Sequence, residues 1–210
     1  MTQTDIANLA LTKLGDLPIT DIDSATDKGA RLAKLHYQPC LSEALRAHFW
    51  GFAMGAASLT RIPDVTGTLG WSAAFELPSD FVKLRAVYDA SGVQIDKFDI
   101  RRVSGTRCLV AGDYDSLQLD YVQFVDEPSD FDPLFSAALV TLLASRMARA
   151  ITGADNMEAS LRQIYETVDL PAARCADGHD TQSGENHPLR ALLGGALTHT
   201  RADFFPELDD

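Results

Sequence analysis

His36 and Cys40 stand four residues apart, one turn on a helix, so they could offer two metal ligands on one face. A closed metal site needs more ligands, none lies nearby in sequence, and Pro39 disturbs the turn between the two. Packing is the preferred reading. Asp113 and Asp115, and the group Asp126, Glu127, Asp130 and Asp132, could hold a hard cation. Neither group has the alternating ligand register and closing glutamate of a calcium loop. The first reads better as a hairpin turn and the second as the capped start of a helix. His48 could serve as a general base if Ser42 or Glu43 partnered it, but these residues form no nucleophile pattern. The chain has no GxSxG, no phosphate-binding glycine loop with lysine, no CxxC and no HExxH. Trp50, Phe52, Trp71 and Phe75 could stack bases, but the basic groove that accompanies such stacking is missing, which favours a hydrophobic core. The residues point away from an enzyme and imply no cofactor and no metal.

The elements that position these side chains follow from hydrophobic period. Residues 5–14 read as a short helix with Ile6, Leu9, Ala10 and Leu14 in phase, Thr4 or Asp5 as cap and Gly15 as stop. Residues 27–49 read as a longer helix burying Leu32, Leu35, Leu41, Leu45 and Phe49, with a kink or break near Gln38. From Ala53 to Val125 the pattern turns to strands. Residues 81–88 alternate apolar and polar side chains, and 93–100, 108–110 and 117–125 add three more strands in an antiparallel sheet. Asp130 or Asp132 with Pro133 opens the strongest helix, 135–151, whose apolar positions run round most of its circumference. Residues 156–168 follow as an amphipathic helix with Leu161, Ile164, Tyr165 and Val168 inward. After Ala173 glycines and Pro188 interrupt the pattern, yet Leu189, Leu192, Leu193, Phe204 and Phe205 remain as apolar islands. They suit an arm that orders on a partner or, equally, a tail that packs on its own domain.

The expected fold is α+β, mainly α. It is a helical bundle built from N-terminal helices (1–55) and C-terminal helices (126–172). A small antiparallel β region (56–125) is inserted, and an extended C-terminal arm (173–210) follows. The 210 residues carry a net charge of −12 and are 46% hydrophobic, enough for a core but too acidic to attract phosphates without a segregated basic patch. The densest basic group, Arg101, Arg102 and Arg107, reads as a solvated strand edge rather than a phosphate contact. The N-terminus lacks the basic region of a signal peptide, and no apolar run is expected to reach the length of a bilayer span. Three scattered cysteines read as free thiols in a reducing compartment.

Several blocks follow one another in an informative order. Leu14–Gly15 is followed by Pro18–Ile19. Tyr37, Pro39, Leu45 and Arg46 lead into Trp50-Gly51-Phe52-Ala53. Phe75 enters Leu77-Pro78-Ser79-Asp80, and the β region closes on Asp120–Tyr121. Phe131-Asp132-Pro133-Leu134-Phe135 then enters an alanine-rich helix. This succession resembles the head-to-tail adaptor family of tailed bacteriophages, which includes the tail tubular protein A group. It spans roughly residues 5–173. Gly51 departs from the polar residue common in the family, and the residues from Arg174 onward match nothing in it.

The resemblance implies a virion structural protein, not an enzyme. Copies would form a ring, a dodecamer in the family, beneath the portal protein. The ring would extend the DNA channel and support the tail or nozzle protein. DNA would pass without sequence-specific contact, and no membrane would be involved. The location would be the tail neck of the virion, and the host cytoplasm during assembly. The arm residues Leu189, Leu192, Leu193, Phe204 and Phe205 would bind the portal or an adjacent subunit. A transient assembly or scaffold module is the alternative, and an unrecognised small-molecule enzyme a third reading.

Overall fold

The computed structural model describes residues 1–24, 26–63 and 70–180. The fold is α+β and mainly α, with a helical body and an inserted β region.

Helix α1 spans Gln3–Lys13. Thr2 caps it, not Thr4 or Asp5: the Thr2 Oγ1 accepts the Asp5 N–H at 3.1 Å, and the Asp5 carboxylate accepts the Thr2 N–H at 2.8 Å. Asp5 is thus the third-residue half of a capping box, which moves the start of the helix back two residues. Gly15, at φ 73°, ends the turn in a conformation that favours glycine.

Helix α2 spans Lys28–Ala47, opened by the Asp27 carboxylate on the Gly29 N–H. It is one continuous helix through Pro39, so of the expected kink or break near Gln38 the break does not occur. The carbonyl left without a donor there is that of Leu35, and both residues face solvent, where water can serve it. The buried stripe is Ala30, Ala33, Tyr37, Cys40, Leu41, Ala44 and Leu45. Leu35, expected inside, is 66% exposed, and Leu32 and Phe49 are only partly buried. Leu41 and Leu45 are buried as expected, and small alanines complete the packed face, since Ala30, Ala33 and Ala44 allow close helix approach where Leu35 stays outside.

Helix α3, Pro133–Thr152, is the axis of the body. Asp132 accepts the N–H groups of Leu134 and Phe135 at 2.8 and 3.2 Å, Pro133 occupies the first turn, and Gly153 at φ 71° stops the helix. Its length and hydropathy satisfy the requirement for a bilayer span, which corrects the expectation that no run does. Its burial by neighbouring elements explains that composition.

The chain then turns into α4, Asp155–Ile164, a π turn at Tyr165–Asp169, and α5, Leu170–Asp180. Pro171 has no N–H to give to the carbonyl four residues back, and the wider π turn lies just before it. The inward stripe steps from Leu161 to Tyr165, then five residues to Leu170, then to Ala173 and Asp177. Ile164 and Val168, expected inward, face out. The boundary drawn at residue 173 is also corrected, because it falls inside a helix that continues to Asp180.

The β region holds two three-stranded antiparallel sheets rather than one. The strands are β1 (Met54–Thr60), β2 (Ala73–Glu76), β3 (Phe81–Asp89), β4 (Phe98–Val103), β5 (Thr106–Ala111) and β6 (Ser116–Gln123). The sheet orders are β1-β6-β3 and β2-β5-β4. Leu117, Leu119 and Tyr121 alternate along β6 and share a core with Phe75 of β2 and Leu109 of β5, so the inner faces of the two sheets pack together. Ser104 and Gly105, at φ 50° and 88°, form the two-residue turn between β4 and β5. The β region joins the body where Arg46 donates to the Val82 carbonyl at 2.8 Å and Lys83 lies 4.1 Å over the Phe49 ring.

Candidate assembly interface

The blocks that are far apart in sequence meet in space. Trp50 is fully buried and donates its indole N–H to the Ala44 carbonyl at 2.9 Å. Its ring meets Phe135 edge-on at 5.0 Å. Phe52 lies 4.9 Å from Phe135 and 5.7 Å from Phe131, and Phe131 lies 5.2 Å from Phe135. One aromatic knot therefore ties the end of α2 to the start of α3. A second pair does the same in the β region. The Tyr121 hydroxyl donates to Asp80 at 3.1 Å, and the Tyr121 ring stacks on Phe81 at 5.8 Å. Burial, and then the Asp80 carboxylate, push the Tyr121 hydroxyl up to about 12, so it stays a donor. The aromatics weighed as a stacking surface pack in or against hydrophobic cores instead, Trp50 and Phe52 in the body, Phe75 in the β core and Trp71 beside it.

The knot is overlaid by a polar clasp. Arg174 of α5 donates to the Ala47 carbonyl at 2.7 Å, covering the open end of α2. Asp177 is 9% exposed. It accepts the Gly51 N–H at 2.7 Å and faces His48 Nε2 at 3.1 Å. The His48 ring stands edge-on to Trp50 at 4.9 Å. His48 is therefore a bracket between α5 and the knot, and its partner is Asp177 rather than Ser42 or Glu43. Asp177 was invisible as a site residue because its only sequence signal is a lone carboxylate in a stretch that reads as tail.

Glu43 instead joins three helices. Its carboxylate meets Arg146 of α3 at 2.7 Å and Arg162 of α4 at 2.9 Å, and Arg162 also meets Glu166 at 2.6 Å. Burial works to raise the Glu43 carboxyl, but the two guanidinium groups outweigh it and hold it below its ordinary value. A deeper chain of hydrogen bonds runs from Lys13 Nζ to Thr141 Oγ1 at 2.6 Å, and from Thr141 to Asp169 at the π turn.

The other candidates fall into structural places. Cys40 is buried, and that burial pushes its thiol up to about 12. His36, on the same face side, is lowered by burial and by Arg146. Among the described residues no three His, Cys, Asp or Glu side chains gather as a metal site. Cys40, Cys108 and Cys175 are free thiols. Asp113 pairs with Arg61 at 2.7 Å beside the β5–β6 turn. Asp126 accepts from Gln3 at 3.2 Å and Gln38 at 3.0 Å, while Asp132 caps α3. Arg101 pairs with Asp99 at 2.7 Å, Arg102 reaches the Gly105 carbonyl at 3.3 Å, and Arg107 covers the Phe81 ring at 4.8 Å. Leu189, Leu192, Leu193, Phe204 and Phe205 lie outside the described residues.

Among the described residues several large apolar side chains on the body are exposed. Val168 is 57% exposed and Ile164, one turn before it, 42%. Leu35 on α2 and Leu9 on α1 are exposed as well. No protein-family model and no curated protein matches the chain.

Proposed function

We propose that the protein is a head-to-tail adaptor of a tailed bacteriophage, a structural component of the virion rather than an enzyme. Copies close into a ring, a dodecamer by the pattern of the family it resembles. The ring sits between the portal protein and the tail or nozzle protein, extends the DNA channel and supports tail attachment. Genome DNA passes through on ejection without sequence-specific binding. No cofactor and no membrane take part. The protein works in the virion neck and is assembled in the host cytoplasm.

One observation carries this reading. The blocks that resemble the adaptor family converge pairwise in space: Trp50 and Phe52 with Phe131 and Phe135, and Asp80 with Tyr121. Motifs that are each weak in isolation therefore meet in two contacts, one in the helical body and one in the β region. The physical character of the chain supports the same reading. A net charge of −12 suits a wall that lets phosphates slide past. A rigid body around α3 suits a subunit whose side-to-side contacts must close by rotation. The arm residues Leu189, Leu192, Leu193, Phe204 and Phe205 dock on the portal or on an adjacent subunit in this reading.

Light scattering tests it, on the purified protein alone and then mixed with the portal protein of the same genome. The expected result is a defined species with the portal at ring stoichiometry. A protein that ignores the portal at every concentration overturns the adaptor reading and leaves the fold alone standing.

A further inference from the structure

An apolar groove of about 330 Å³ lies between α1 and the first half of α3. Leu9, Thr12 and Lys13 form one wall, and Pro133, Ala137 and Val140 the other. Met1 and Leu9 at its rim are about half exposed, whereas Val140 on its floor is buried. The hydrogen bond from Lys13 to Thr141, with Asp169 behind it, closes one end. A groove between two helices suits a third short helix that presents an i, i+3, i+4 stripe.

The chain carries such a stripe. Leu189, Leu192 and Leu193 have that spacing, Pro188 stands where a first-turn proline is favoured, and Gly194–Gly195 is a stop signal. The path of the described chain brings the segment within reach. Asp169 touches Thr141 in the middle of α3, and α5 runs from there toward the α3 start, since Asp177 binds Gly51 beside the Trp50–Phe135 contact. The described chain therefore ends near the start of α3, on the Phe135 side of that helix, and the groove opens at the same end on the side of Pro133 and Ala137. The residues from Asp180 to Leu189 can span up to roughly 30 Å, about the whole length of a twenty-residue helix such as α3.

We propose that the α1–α3 groove receives Leu189, Leu192 and Leu193 of the same chain. The contact keeps three leucines out of water in the free protein, and any partner that takes the arm must compete with it. The inference stands apart from the adaptor reading, because it concerns the free chain and is read out without a portal.

The test is a cysteine pair in the full chain, on a Cys175→Ser background that leaves only the two buried native thiols. Ala137→Cys with Leu192→Cys places one thiol in the groove and one on the stripe. Leu35→Cys with Leu192→Cys is the control, since Leu35 is exposed on α2. A bond within one molecule should form at least tenfold faster for the groove pair, read by intact mass and gel mobility under dilute oxidation. Equal rates, or linkage only between two copies, overturn the proposal. A second readout uses the full chain with Leu189→Asp, Leu192→Asp and Leu193→Asp together. Amide exchange in α1 and at the start of α3 should rise several-fold; unchanged exchange there also overturns it.

Discussion

Helices α3 and α5 lie side by side yet are held by opposite means. The α3 helix is buried on nearly every side, with Phe135, Leu139, Leu142, Leu143 and Met147 inaccessible to water. The α5 helix buries Leu170 and Ala173, and its far half is fastened by Arg174 on the Ala47 carbonyl and Asp177 on Gly51 and His48. Apolar burial is non-directional and summed over many contacts, so it anchors an element without a unique weak point. A polar clasp depends on a few directed bonds, and losing one strands its partner. The difference implies that α3 opens only with the whole body, whereas α5 can be released by itself. For a protein read as an assembly component, that puts a releasable segment immediately before residues 181–210.

The sharpest test of the apolar side is Phe135→Ala. Phe135 is fully buried at the centre of the aromatic knot and touches Trp50, Phe52 and Phe131. The truncation should cost about 3–5 kcal/mol and lower the unfolding temperature of the entire body in one transition. If only α5 were lost while α3 kept its protection, the contrast between the two helices would collapse.

The clasp should behave differently. Asp177→Ala removes the acceptor for the Gly51 N–H and the partner of His48. A loss of roughly 1–3 kcal/mol is expected from the stranded donor, and it should be local. Amide exchange should quicken in α5 and at Gly51 while α3 stays protected. Uniform quickening across the molecule would mean that the clasp is part of the core.

These helices also separate what the chain made legible from what it hid. α3 was readable because cap, first-turn proline, continuous apolar residues and final glycine all agree. Its neighbours were misread where packing overrode period. In α2 alanines complete the buried face beside Leu41 and Leu45, while Leu35 faces outward. In the last helical run the π turn shifted the stripe by one residue, which hid Leu170, Ala173 and Asp177 behind an apparent loss of pattern. Strands β1 and β2, with the sequences MGAASLT and AAFE, offer few branched or aromatic residues and so carry no strand signal, while the division of the expected strands between two sheets is set by pairing that local spacing does not show. The aromatic knot could be guessed as core from its residue types. The convergence of Trp50 with Phe135 is a tertiary fact with no signature in local spacing.

A smaller effect probes how α3 begins. Asp132→Ala removes the acceptor of two backbone N–H groups and should cost about 1 kcal/mol. The loss should appear as a modest drop in unfolding temperature with no separate opening of α5. Asp132→Asn, which keeps an accepting oxygen, should recover most of it.

The smallest effect comes from the charged surface that spans α2, α3 and α4. Glu43 is held below its ordinary carboxyl value even though burial alone would raise it, because Arg146 and Arg162 favour the charged form. A carboxylate depressed on folding contributes stability above its unfolded pKa, and that contribution is lost as pH falls through the folded value. Glu43→Gln should therefore lower stability at neutral pH by less than about 1 kcal/mol, since all three side chains are partly exposed. The gap between the two proteins should close as pH falls below the ordinary glutamate range, where the depressed native carboxylate takes up its proton. Thermal unfolding of both proteins across that range reads it directly. A gap that persists in acid would show that Glu43 acts through packing of its stem rather than its charge, and the network would then belong with the apolar anchorage of α3 instead of the directed bonds that hold α5.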